Sequence, residues 1–214
     1  ISPIFIKFNP NLISFLSFFI GFIGLFFSTF LSLDIRLIII FFLLSFILDF
    51  TDGLVARHTN KSSFYGRFID GLFDIFVIGF LHIVLLMHLI VTGFLSIDKY
   101  YFVFFLVTIC IMPIQHLILD RFSALARWCN EINKNKYIRP YYRNTFFSKL
   151  TMTFFDLQHL SLFLILFTSL KNLPSVIILY FILSFSSSIL SIIIYITLSK
   201  KNFNKISNKK DNYE

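Results

Sequence analysis

Six stretches of the chain are apolar over about the 20 residues that a helix needs to cross the hydrocarbon core of a bilayer. They cover 11–31, 35–57, 66–92, 99–122, 150–170 and 174–198. Breakers agree with those cuts: Asn9-Pro10-Asn11 precedes the first, Gly93 follows the third and Pro174 opens the last. Pro113 falls inside the fourth and predicts a kink there. No internal repeat and no soluble domain interrupts the series. The pattern predicts an all-α fold, an integral membrane bundle of six transmembrane helices forming one domain over residues 1–199. The tail, 200–214, has Lys and Asn in excess and is expected to be disordered or to touch lipid headgroups.

Composition strengthens this reading. The chain has 214 residues, of which 57% are hydrophobic, 14% are charged and 32 are Phe, too apolar for a solvated globular domain. Its net charge of +8 raises the question of nucleic acid, but the basic residues sit in the connections between apolar stretches rather than along one soluble face. No nucleic-acid partner is expected, and topology explains the charge. Connections 32–34, 92–98 and 171–173 are short; His58–Tyr65, Ala126–Lys149 and the tail from Lys200 are basic. Placing the basic set in the cytoplasm puts 16 of the 19 Lys and Arg there and leaves Arg36, Lys99 and Lys171 outside. Both termini then face the cytoplasm, as an even helix count requires. The chain starts at Ile1 without a basic n-region, which reads as a missing N-terminal piece rather than a signal peptide. Cys110 and Cys129 form no CxxC pair and give no sign of a disulfide framework or thiolate metal site.

The candidate chemistry lies between the second and third stretches. Asp49 and Asp52 are three residues apart at the cytoplasmic end of one helix; Asp70 and Asp74 are four apart at the start of the next, so each pair shares a helical face. A short connection brings the two faces together. Four carboxylates in such a space repel one another unless cations neutralise them. Oxygen ligands with no His or Cys among them select Mg²⁺, Mn²⁺ or Ca²⁺ over zinc. Two ions would fit four carboxylates and suit phosphoryl chemistry. Gly53, Ala56 and Gly66 leave backbone open where a larger side chain would fill it, and Arg57 offers a fork for phosphate oxygens. Together these residues describe a pocket for a diphosphate and metal.

The run Asp49-x-x-Asp52-Gly53-x-x-Ala56-Arg57, eight residues, then Gly66-x-x-x-Asp70-x-x-x-Asp74, resembles the signature of the CDP-alcohol phosphatidyltransferase family at all eight fixed positions. The resemblance implies a membrane enzyme of phospholipid biosynthesis that moves a substituted phosphate group from a CDP-linked donor to an alcohol and releases CMP. It implies that Asp49, Asp52, Asp70 and Asp74 hold two divalent cations, Mg²⁺ or Mn²⁺, that Asp74 is also the general base, and that Asp52, Gly53, Ala56, Arg57 and Gly66 bind the CDP portion. Similar proteins form homodimers and often have a short amphipathic helix at the N-terminus. The expected donor is CDP-diacylglycerol, the expected acceptor a small alcohol or phosphorylated polyol, and the expected place a prokaryotic cell membrane with the active site at its cytoplasmic face.

Outside the motif the signals are weaker. Arg67 is balanced between an acceptor contact and a membrane anchor. The connection Ala126–Lys149 holds Arg127, Arg139 and Arg143, with Arg121 just before it; these are acceptor candidates, although headgroup attraction explains any single one of them better. Asp120 and Asp156 read equally well as local ion-pair partners. His82, His88, His116 and His159 lack paired spacing and are expected to pack or bond between helices, and His58 is a weak candidate for donor phosphate. Asn60-Lys61-Ser62 is a glycosylation sequon whose cytoplasmic placement argues against its use. Three other functions compete: a CDP-choline or CDP-ethanolamine type of transferase with diacylglycerol as acceptor, a cation transporter, and a non-catalytic scaffold. A transporter would need carboxylates near the membrane midplane, whereas these cluster at one face.

Overall fold

The structure is a computed structural model and describes residues 8–31, 33–61, 63–94, 99–132 and 146–210. Among them the secondary structure is wholly helical: α1 Pro10–Phe30, α2 Ile35–His58, α3 Phe64–Val91, α4 Lys99–Ile132, α5 Phe146–Phe167 and α6 Leu173–Lys210. Five helices contain stretches long and apolar enough to cross a membrane: Pro10–Phe30, Ile35–His58, Tyr65–Val91, Tyr100–Trp128 and Leu173–Lys200. The expected fifth span falls on α5, whose apolar part among the described residues is Asp156–Phe167.

Two expectations are corrected. The long basic connection at 126–149 is helical at both ends: α4 continues to Ile132 and α5 begins at Phe146, and 133–145 lie outside the described residues. The tail is helical as far as Lys210, since α6 runs on for 38 residues, or about 57 Å at 1.5 Å per residue. Hydropathy marks where lipid ends, and a helix need not stop there. Pro113 lies inside α4, which continues beyond it.

The chain divides into two compact units, Ile1–Phe105 with Leu162–Ile177, and Leu106–Ser161 with Ile178–Glu214. In the first, α1 packs against α2 and α3. Asn9 caps α1 by accepting the Asn11 N–H at 3.1 Å, and Pro10 occupies the first turn, where its missing N–H costs nothing. The buried stripe of α1 is Pro10, Ile13, Ser14, Ser17, Gly21 and Gly24, small residues for the most part. Small side chains let backbones approach closely where lipid supplies no hydrophobic drive between helices. Thus Ser17 Oγ donates to the Ser45 carbonyl at 2.9 Å and Ser45 Oγ to the Ser17 carbonyl at 2.8 Å, clasping α1 to α2. A Cβ on Gly21 would press to 3.0 Å on Val77 of α3, and one on Gly24 to 3.2 Å on Phe42 of α2. Beside this stripe, Phe18 stacks on Phe73 of α3 with ring centroids 4.6 Å apart.

At the far end of α2, Asp34 caps the helix by accepting the Arg36 N–H at 2.9 Å, and the Arg36 guanidinium donates to the Thr168 carbonyl just past α5 at 2.7 Å. In the second unit, Ser188 donates to Gln115 at 2.7 Å, Gln115 to Ser191 at 3.4 Å, and Ser187 to Gln158 at 3.4 Å. His82, expected to pack or bond between helices, is buried with its Nδ1 2.8 Å from the Ile78 carbonyl of its own helix.

Candidate active site

The end of α2 and the start of α3 are joined by a five-residue reversal, 59–63. Thr59 is the C-cap of α2, and Ser63 caps α3, its Oγ accepting the Gly66 N–H at 2.9 Å. This reversal sets the carboxylates of the two helices side by side. Asp49, Asp52 and Asp70 each offer an oxygen, and the three atoms lie within 4.8 Å of one another. Asp74, one turn further along α3, is within hydrogen-bonding reach of Asp49. Asp52 is 4% exposed, whereas the other three are half-buried. Ser14 of α1 donates its hydroxyl to Asp52 Oδ2.

Carboxylates this close cannot all ionise without a counter-charge. A proton shared between two of them is one remedy, and a hard divalent cation bound by their oxygens is the other. Three converging carboxylate oxygens from two rigid helices therefore fit a divalent metal ion.

A cavity of about 190 Å³ opens on Asp52 and Asp70. Gly53, Ala56 and Arg57 line it from α2, and Gly66 and Arg67 from α3. Five more lining residues are not among the site residues expected from the sequence: Pro10, Asn11 and Ser14 of α1, with Lys61 and Ser63 of the reversal. Its acids are buried or half-buried, while Arg57, Lys61 and Arg67 are exposed. The cavity thus grades from negative charge at depth to positive charge toward solvent.

The two glycines have different surroundings. A Cβ on Gly53 would meet only the Arg57 guanidinium, at 3.8 Å, so its backbone does stand open to the cavity. A Cβ on Gly66 would come within 2.8 Å of Asn11 Oδ1 and 3.0 Å of Ser63 Oγ. A side chain there would have to turn those two polar groups aside, and Gly66 also lines the cavity.

Of the acceptor candidates, Arg67 lines the cavity. Arg121 and Arg127 belong to the second unit, where Arg121 is exposed and Arg127 donates to Ser123 Oγ at 2.6 Å. Arg139 and Arg143 lie outside the described residues. Asp120, Asp156 and His58 are exposed. The contribution of α1 was hidden because Ser14 is 38 residues from Asp52 in the sequence. A hydroxyl one turn after Pro10, on the same small-residue stripe as Ser17, Gly21 and Gly24, was the available clue.

Comparison with curated proteins and with solved structures returns no match. The family model for CDP-alcohol phosphatidyltransferase, in contrast, matches residues 7–198, nearly the whole chain and the entire site-bearing region, and the chain belongs to that family.

Proposed function

We propose that this transferase moves a phosphatidyl group from CDP-diacylglycerol to a small alcohol or phosphorylated polyol and releases CMP. The observation carrying the proposal is a cavity in which converging carboxylates face three cationic side chains. A diphosphate ester needs both: a site for the cations that accompany it and donors for its remaining oxygens. Asp49, Asp52, Asp70 and Asp74 would hold the metal, two Mg²⁺ or Mn²⁺ in this reading, and the bound cations would supply charge to offset the diphosphate.

The chain's own residues account for the remaining steps. Arg57, exposed at the cavity and close to Gly53, pairs with phosphate oxygens, while Gly53 and Ala56 let the nucleotide approach the α2 backbone. Asp74 accepts the proton of the acceptor hydroxyl. The acceptor oxygen forms a bond to the phosphorus farther from cytidine, and the bond from that phosphorus to the bridging oxygen breaks, so CMP leaves with the electron pair. No covalent enzyme intermediate is required. A donor with its acyl chains in the bilayer can present its headgroup to such a cavity without leaving the membrane.

Six spans, with both ends and the cavity on the cytoplasmic side of a prokaryotic cell membrane, complete the reading. The 22 residues of α5, about 33 Å of helix, supply the length for the sixth. Pairing of two copies is also part of it and rests on the family resemblance.

The test is CMP release by purified protein in lipid, with Mg²⁺ or Mn²⁺, from CDP-diacylglycerol against glycerol phosphate, inositol, inositol phosphate, serine and phosphatidylglycerol. CDP-choline with diacylglycerol runs alongside. Metal-dependent release that requires one acceptor establishes the reaction; release only from CDP-choline reverses the roles of lipid and headgroup; no release from any pair by folded protein defeats the proposal.

A further inference from the structure

The sequon Asn60-Lys61-Ser62 is a motif that the proposed chemistry leaves without a role, and the backbone gives its first two residues one. Asn60 has φ +53, the one non-glycine residue with positive φ among those described. The left-handed region is costly for most side chains, and Asn is among the few that enter it readily. Around it the end of α2 forms a Schellman turn. The Lys61 N–H donates to the Ala56 carbonyl at 3.0 Å and the Asn60 N–H to the Arg57 carbonyl at 3.5 Å, the 6→1 and 5→2 bonds that define the motif. Thr59 reinforces it, with its N–H 2.9 Å and its hydroxyl 2.8 Å from the Val55 carbonyl.

The reversal has a chemical result. Lys61 is folded back beside the last turn of α2 and joins Arg57 and Arg67 on the cavity that holds Asp52 and Asp70. A lysine serving only to anchor the chain at the headgroup level needs no particular backbone conformation. This one is tied by a main-chain bond to Ala56, itself a cavity residue. We propose that Lys61 is a phosphate-binding residue of this cavity, positioned by the left-handed turn at Asn60, and that it engages the diphosphate of the cytidine nucleotide. The inference rests on the functional reading above and extends it to a residue outside the eight-position motif. Lysine suits the task as a compact point charge on a flexible stem, complementing the planar fork of Arg57.

CDP binding to the full-length protein in lipid with Mg²⁺, measured by calorimetry, tests it. Lys61→Met is expected to weaken CDP roughly tenfold, the usual scale for one lost charge-assisted contact, with Lys61→Arg recovering part of the loss. Asn60→Gly keeps the turn and should bind within about twofold of wild type, since glycine adopts positive φ at no steric cost. Asn60→Val should lose affinity as Lys61→Met does, although its lysine is intact, because a β-branched residue opposes the turn. Thermal midpoints near wild type in Lys61→Met and Lys61→Arg would show that folding is not the cause. Wild-type CDP affinity in Lys61→Met overturns the role of Lys61 alone. Failure of the unmutated protein to bind CDP overturns the functional reading and this inference together.

Discussion

In the second unit a set of buried hydroxyl and amide side chains answer one another. Ser188, Gln115 and Ser191 form one chain of donors and acceptors, and Ser187 reaches Gln158. In the first unit, beyond the Ser17–Ser45 clasp, lies an acidic cluster: Ser14 provides a hydroxyl to Asp52, but Asp49, Asp52 and Asp70 bring mostly acceptors to the same small space, with Asp74 beside them. Amides and hydroxyls carry donors as well as acceptors, so they can saturate within the bilayer and hold helices together. Ionised carboxylates only accept, and a group of them requires something cationic from outside. The difference separates a seam that serves as glue from a cluster that serves as a binding site, although both consist of polar residues buried between membrane helices.

The strongest way to break that contrast is to remove an acid. Asp49→Ala or Asp70→Ala is expected to lower CMP release by at least about a hundredfold, while the protein still inserts and elutes as wild type does. Asp74→Asn should keep CDP binding and lose turnover, which single-turnover kinetics separates from a binding defect. Activity near wild type in any of these would return the cluster to the status of a structural seam. An intermediate effect is expected from Ser14→Ala, which deletes the donor facing Asp52: roughly a tenfold fall in kcat/KM, with Ser14→Thr restoring most of it. The smallest effect should come from the other unit. Gln115→Leu is expected to cost about 0.6 kcal/mol in an unfolding measurement in lipid, typical of a hydrogen bond between membrane helices, with activity per folded molecule unchanged.

Particular residues show what was legible in the sequence. The cuts at Pro10 and Gly93 were, because capping and breaking are local chemistry. The end of α4 was not: apolar character fades after 122, but Ala124, Leu125 and Ala126 favour helix whether or not lipid surrounds them. Asp49, Asp52 and Asp70 announced themselves by spacing, since three- and four-residue intervals on helices joined by a short connection leave little freedom. The third wall of the cavity was hidden. A helix states its own periodicity but not which helix it will lie against, so Asn11 and Ser14 could be placed only by the small-residue stripe that draws α1 onto α2 and α3. Lys61 was obscured for another reason, because its placement depends on a single residue's backbone angle rather than on a pattern.

The gap at Gly66 is filled by the chain itself, through the amide of Asn11 and the hydroxyl of Ser63. Residues 11 and 66, 55 positions apart, therefore meet at one wall of the cavity, where the Asn11 amide occupies the space beside the Gly66 backbone. A methyl group at position 66 would have to turn that amide aside, so its effect should be felt on the first helix as well as on whatever the cavity holds.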